Sequence, residues 1–148
     1  MKIYIYQADC YCEDCGKQIQ EQITLDVYHP NYHDKPANPQ DETTYDSDDY
    51  PKGPYSSSEA DSPQHCASGE NCLNVLEING KKYGCWLENP LTSDGIDYIM
   101  NELALLDPVK KKDILDFWME VYKEEILPRF IVEDVSSEFC QGYFHFCG

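Results

Sequence analysis

Apolar and polar positions alternate at the start of the chain. From Lys2 to Ala8, Ile3 and Ile5 alternate with Tyr4 and Tyr6, a period of two in residues that favour strands. This predicts a first strand running directly into Cys10-Tyr11-Cys12-Glu13-Asp14-Cys15-Gly16. From Gly16 to Leu25 the period lengthens, with Ile19, Ile23 and Leu25 set among Gln and Glu. The i, i+4 spacing predicts a short helix. Aliphatic residues then almost disappear. Val27 to Gln64 is rich in Pro, Asp, Ser, Asn and Tyr. Pro30, Pro36, Pro39, Pro51, Pro54 and Pro63 break regular elements there, so a long loop is predicted.

Patterning returns at Leu73–Leu87. Val75-Leu76-Glu77-Ile78 and Lys81-Lys82-Tyr83-Gly84-Cys85-Trp86 flank Asn79-Gly80, a pair that accepts the positive φ angles of a type I′ turn, so a β-hairpin is predicted. Residues 88–95 form a loop ending in helix-capping residues. Ile96, Ile99, Met100, Leu103 and Leu106 then follow helical spacing. Asp107-Pro108 supplies the cap and first turn of a second helix. Its apolar face carries Leu115, Trp118, Met119, Tyr122 and Ile126, widened by Ile114, Phe117 and Val121, and Pro128 is its predicted stop. Arg129–Val135 is expected to be a strand. The segment after it, with Phe139, Tyr143, Phe144 and Phe146, is apolar enough to dock on the core.

The predicted class is α+β: a small sheet and hairpin stapled by zinc, two C-terminal helices, and a long acidic Tyr/Pro loop. Residues 1–148 are expected to form a single domain. Its parts are 1–26 (strand, zinc knuckle, short helix), 27–64 (acidic loop), 65–90 (second knuckle and hairpin) and 91–148 (helices and C-terminal segment).

The cysteines give this scaffold its chemistry. Cys12-x-x-Cys15 offers two thiolates, and His65-Cys66-Ala67-Ser68-Gly69-Glu70-Asn71-Cys72 offers a second half. Cys12, Cys15, Cys66 and Cys72 together supply the four sulfurs of a closed tetrahedral Zn²⁺ site. Five residues separate Cys66 from Cys72, more than the usual two to four. His65 and Cys10 are therefore alternates for the fourth ligand. Free buried thiols are the simpler alternative. Cys140, His145 and Cys147 are weaker candidates for a second site with Cys10 or Cys85, and Cys85 beside Trp86 has the default role of a small buried hydrophobe. Asp46-Ser47-Asp48-Asp49 fails as a Ca²⁺ loop, because Tyr50 and Pro51 occupy positions that need a ligand and a glycine.

Charge narrows the partners. The formal net charge is −17, with 28 acidic against 11 basic side chains. Such a chain is repelled by nucleic acid and anionic membranes, and a protein partner with a basic face is its natural complement. Lys110-Lys111-Lys112 is the only basic run and fits a solvated helix start. Between Asp41 and Asp61 there are seven acids and one base, interspersed with tyrosines. Tyr45, Asp46, Asp48, Asp49, Tyr50 and Tyr55 are the candidate partner-binding residues. No apolar run approaches a membrane span. The first residues do not form a signal peptide, so the expected compartment is a reducing cytoplasm. No P-loop, dinucleotide fingerprint, nucleophile elbow or metalloprotease motif is present.

Several stretches resemble a family of short, uncharacterised zinc-binding proteins from bacteria and their phages. They are Tyr11–Gly16, Tyr45-Asp-Ser-Asp-Asp-Tyr-Pro-Lys-Gly-Pro-Tyr55, Glu59-Ala-Asp-Ser-Pro-Gln-His-Cys66 and Leu87-Glu-Asn-Pro-Leu-Thr-Ser-Asp-Gly95, covering roughly residues 1–100. The resemblance implies that the acidic loop belongs to the domain and that Cys12 and Cys15 pair with the Cys66 region. In similar sequences that region can be a compact Cys-x-x-Cys. The expected function is a non-enzymatic, zinc-stabilised, acidic interaction module associated with phage or mobile elements. One alternative is an acidic nucleic-acid mimic that inhibits a basic host defence protein. The other is a small Cys- or zinc-dependent enzyme.

Overall fold

The computed structural model describes residues 1–104 and 112–132, and the class is α+β. Strand β1 (Lys2–Tyr6) is the middle of a three-stranded antiparallel sheet, between β2 (Asp9–Cys12) and β3 (Lys52–Ser56). Ile3 lies opposite Cys12 and Ile5 opposite Cys10. The first strand therefore does not run straight into the cysteines. It folds back at Gln7-Ala8, where φ is 51° and 63°. Those are the angles of a type I′ turn, in residues that do not advertise one. The Gln7 N–H donates to the Ser47 carbonyl (3.1 Å), which helps hold the turn.

Helix α1 (Glu13–Leu25) starts immediately after β2. The helix begins three residues before the predicted start at Gly16. A Cβ at Gly16 would run into the Tyr4 ring, so glycine lets α1 lie against the sheet. Ile23 is fully buried beneath it, beside Tyr6 and Tyr50.

The acidic stretch is more ordered than its composition predicts. Residues 52–56 form β3, pairing with β1 through Ile3–Tyr55 and Lys2–Ser56, with a register shift at Gly53-Pro54. Proline is tolerated because β3 is an edge strand. At Gly53 an added Cβ would meet the Ile3 carbonyl at 2.7 Å. Tyr50 is only 4% exposed, stacked edge-on against Tyr45. The Tyr45 hydroxyl donates to the Pro39 carbonyl (2.7 Å), and Gln20 on α1 donates to the Pro51 carbonyl (3.0 Å). The tyrosines supply the apolar area that the missing aliphatics do not.

The predicted hairpin is present as β4 (Leu76–Ile78) and β5 (Lys81–Tyr83). Asn79 and Gly80 have φ of 49° and 82°. Helix α2 (Ser93–Ala104) is capped by Thr92, whose Oγ1 accepts from the Gly95 N–H (3.0 Å). The second predicted helix is divided into α3 (Lys112–Val121) and α4 (Lys123–Val132), so three helices follow the hairpin among the described residues rather than two. Pro128 does not stop the chain's helix. It lies inside α4 on the exposed side, as does Glu124, four residues before it. The strand expected from Arg129 is therefore helix as far as Val132. The main core joins Leu91, Ile99, Leu103, Leu115, Trp118, Met119, Tyr122 and Ile126.

A polar chain ties this core to the segment before it. The Trp86 indole N–H donates to the Tyr122 hydroxyl (2.8 Å), which donates to the Asn89 carbonyl (2.8 Å). Asn89 is itself buried, accepting from the Gln64 N–H and donating to the Ser62 carbonyl. Every buried side-chain polar atom of this network has a partner, which is the condition for burying it at low cost.

Candidate metal centre

Four elements converge on one cluster of sulfurs. Cys12 ends β2 and Cys15 lies in the first turn of α1. Cys66 lies in the segment opposite Cys85, with its N–H donating to the Cys85 carbonyl (2.8 Å). Cys72 follows a single tight helical turn at Gly69–Asn71. That turn resolves the loose spacing. The N–H of Gly69 donates to the Cys66 carbonyl and that of Cys72 to the Gly69 carbonyl, so the five-residue spacer winds up and returns Cys72 to Cys66. Gly69, at φ 58°, provides the left-handed step.

The Sγ atoms of Cys12, Cys15, Cys66 and Cys72 all lie within 4.8 Å of one another, and all four residues are buried. Cys72 Sγ is 3.7 Å from Cys12 Sγ and 3.8 Å from Cys15 Sγ. These are free thiols, far beyond a disulfide bond length. Each sulfur also accepts an N–H. The Cys12 N–H points at Cys66 Sγ (3.4 Å), the Leu73 N–H at Cys15 Sγ (3.3 Å) and the Asn74 N–H at Cys72 Sγ (3.4 Å). The Asn74 side-chain amide reaches Cys12 Sγ (3.6 Å) and Asp14 (2.9 Å). Donors ringed around sulfur favour thiolates and fix their orientation. The four cysteines could hold one metal ion.

The electrostatics fit that use. Burial pushes the thiols of Cys12, Cys15 and Cys72 above their ordinary value. A bound cation reverses this, because a coordinating thiol is deprotonated. Cys66 is the exception: a hydrogen bond from the Cys85 thiol holds it well below the usual range. The same contact, reinforced by burial, pushes Cys85 up. A fifth sulfur beside the cluster is what the sequence does not signal.

The alternates have other roles. The His65 Nδ1 lies 2.9 Å from the Gly84 carbonyl and so carries the proton, while Nε2 accepts from the Trp118 indole (2.9 Å). Both ring nitrogens are used, and burial holds the imidazole's pKa below its ordinary value. Cys10 is half-buried on β2, and its carbonyl, not its thiol, joins the knuckles by accepting from the Ala67 N–H (2.9 Å). Cys140, His145 and Cys147 lie outside the described residues.

No family model, curated protein or solved structure matches the chain. No described helix is long and apolar enough to cross a membrane.

The structure separates the six partner-binding candidates. Asp46 and Asp48 are exposed, and Asp49 is half-buried. Tyr50 is buried, and Tyr45 and Tyr55 are half-buried in the packing already described. The tyrosines face inward because few aliphatic side chains are available to cover β1 and α1 there. The exposed aromatic of this region is Tyr28, 91% exposed beside Leu25 and Val27 at the end of α1.

Proposed function

We propose that Cys12, Cys15, Cys66 and Cys72 hold one structural Zn²⁺, and that the chain is a zinc-stabilised, acidic, non-enzymatic interaction module. The observation that carries the metal is the sulfur spacing. A tetrahedral ion with metal–sulfur bonds of about 2.3 Å holds its sulfurs about 3.8 Å apart; Cys72 Sγ is 3.7 and 3.8 Å from Cys12 and Cys15, and all four sulfurs lie within 4.8 Å of one another. Four sulfurs complete the shell and leave no position for a substrate or activated water, which favours a structural site over a catalytic one.

The module reading rests on the charge of −17 and on carboxylates kept in solvent, Asp46 and Asp48 among them. They would steer a partner with a basic face. The resemblance to short bacterial and phage proteins belongs to the same proposal, as does a reducing, cytoplasmic setting that keeps the thiols free.

The test is elemental analysis of untagged protein purified without added metal, with a visible spectrum alongside. About one zinc per chain and a colourless solution support the site. A stoichiometric iron content with charge-transfer bands would replace zinc by iron, and no metal of any kind would end the proposal. Cys15→Ser should lose the ion, whereas Cys10→Ser should keep it.

A further inference from the structure

Among the described residues, Cys85 is the one buried cysteine near the cluster that a four-coordinate ion does not need. Its position is set by backbone pairing. The Cys66 N–H donates to the Cys85 carbonyl (2.8 Å) and the Leu87 N–H to the Gln64 carbonyl (2.9 Å), with His65 and Trp86 paired antiparallel between them. Cys66 and Cys85 are therefore directly opposite one another and share a face. His65 and Trp86 point the other way, toward Phe117. Opposed residues of this kind have Cα atoms about 5.5 Å apart, inside the range a disulfide bridges. Gly84 keeps the two segments close, since a Cβ there would collide with the Cys66 carbonyl.

A cavity of about 240 Å³ leads in from the surface on the Cys85 side of this pair. It is lined by Met1, Lys2, Glu13, Asp14 and Asn74 and reaches Cys12 and Cys85. A molecule the size of one or two waters fits it easily.

We propose that Cys66 and Cys85 form an oxidation site, joined by hydrogen peroxide into a disulfide that removes Cys66 from the metal shell. The inference rests on the four-sulfur site proposed above. The Cys66 sulfur attacks one peroxide oxygen. The O–O bond breaks, and the departing hydroxide takes the Cys85 thiol proton and leaves as water. The Cys85 sulfur then attacks the Cys66 sulfenic acid. The S–S bond forms, and the second hydroxide leaves as water with a proton from solvent. The two sulfurs lose two electrons and the peroxide gains them. Three sulfurs then remain for an ion that needs four, and the knuckle formed by Cys12 and Cys15 is no longer tied to Cys66.

The experiment adds hydrogen peroxide to metal-loaded protein. A chromogenic chelator follows zinc release, and peptide mass mapping identifies the linked cysteines. The expected result is a Cys66–Cys85 link formed in step with release, and release at least tenfold slower in Cys85→Ser and Cys85→Ala. Release at the same rate in both variants, or a link between other cysteines such as Cys12 and Cys15, overturns the switch. Mapping of the unmodified protein decides the question even if neither variant folds. Metal content is measured before oxidant is added: protein that carries no ion overturns the metal site itself, whereas protein that carries one and keeps it under oxidation overturns only the switch.

Discussion

Replacing Tyr122 by Phe removes one oxygen from the middle of the polar chain and leaves the ring packing intact. The hydroxyl accepts from the Trp86 indole and donates to the Asn89 carbonyl, each at 2.8 Å. Both partners lose their hydrogen bond at once. A buried polar group left unsatisfied costs about 1–3 kcal/mol. Trp86 is half-buried, so water can reach it in part, while Asn89 is enclosed. The expected loss at pH 7 is about 2 kcal/mol, measured by urea unfolding of metal-loaded protein. The same variant should change the alkaline limb. Burial pushes the Tyr122 hydroxyl up to about 12, against about 10 when unfolded. The folded state therefore holds this proton longer. Its contribution is complete below about pH 10 and is lost as pH rises from about 10 through about 12, with a total on the order of 2–3 kcal/mol. Tyr55, also pushed up to about 12, titrates in both proteins and cancels in the difference. Tyr122→Phe should thus lose stability less steeply than the parent across that range. A variant as stable as the parent at pH 7, or one with an unchanged alkaline slope, would refute the claim that this network joins the helices to the cysteine-bearing segment.

Two further outcomes follow from the backbone and the loop. Gly80→Val should cost about 1–2 kcal/mol in thermal or urea unfolding, because φ is 82° there and nothing lies within 4 Å of the added Cβ, so the penalty is purely conformational; an unchanged midpoint would contradict the type I′ turn. Replacing residues 44–58 with a Gly/Ser linker should abolish the cooperative transition, since it deletes β3 and the buried Tyr50; a retained transition would mean that these residues are dispensable packing.

The sequence by itself determined the local features. The four ligand candidates, the Asn79-Gly80 hairpin, the α+β class and the apolar stripes of the helices were legible because each is written in residues a few positions apart. Three features were decided only by tertiary structure. The Gln7-Ala8 turn has no favourable turn residue and is imposed by the pairing of β1 with β2. The tyrosines of the acidic loop look like contact residues by composition, yet they turn inward because a domain poor in aliphatic side chains must cover Ile23 and β1 with aromatic ones. Cys85, thirteen residues beyond Cys72 in a strand-like context, reads as a small hydrophobe. It meets Cys66 only because the chain pairs Gln64–Cys66 against Cys85–Leu87. Long-range register of that kind depends on how the whole chain closes on itself, and no short stretch of residues encodes it.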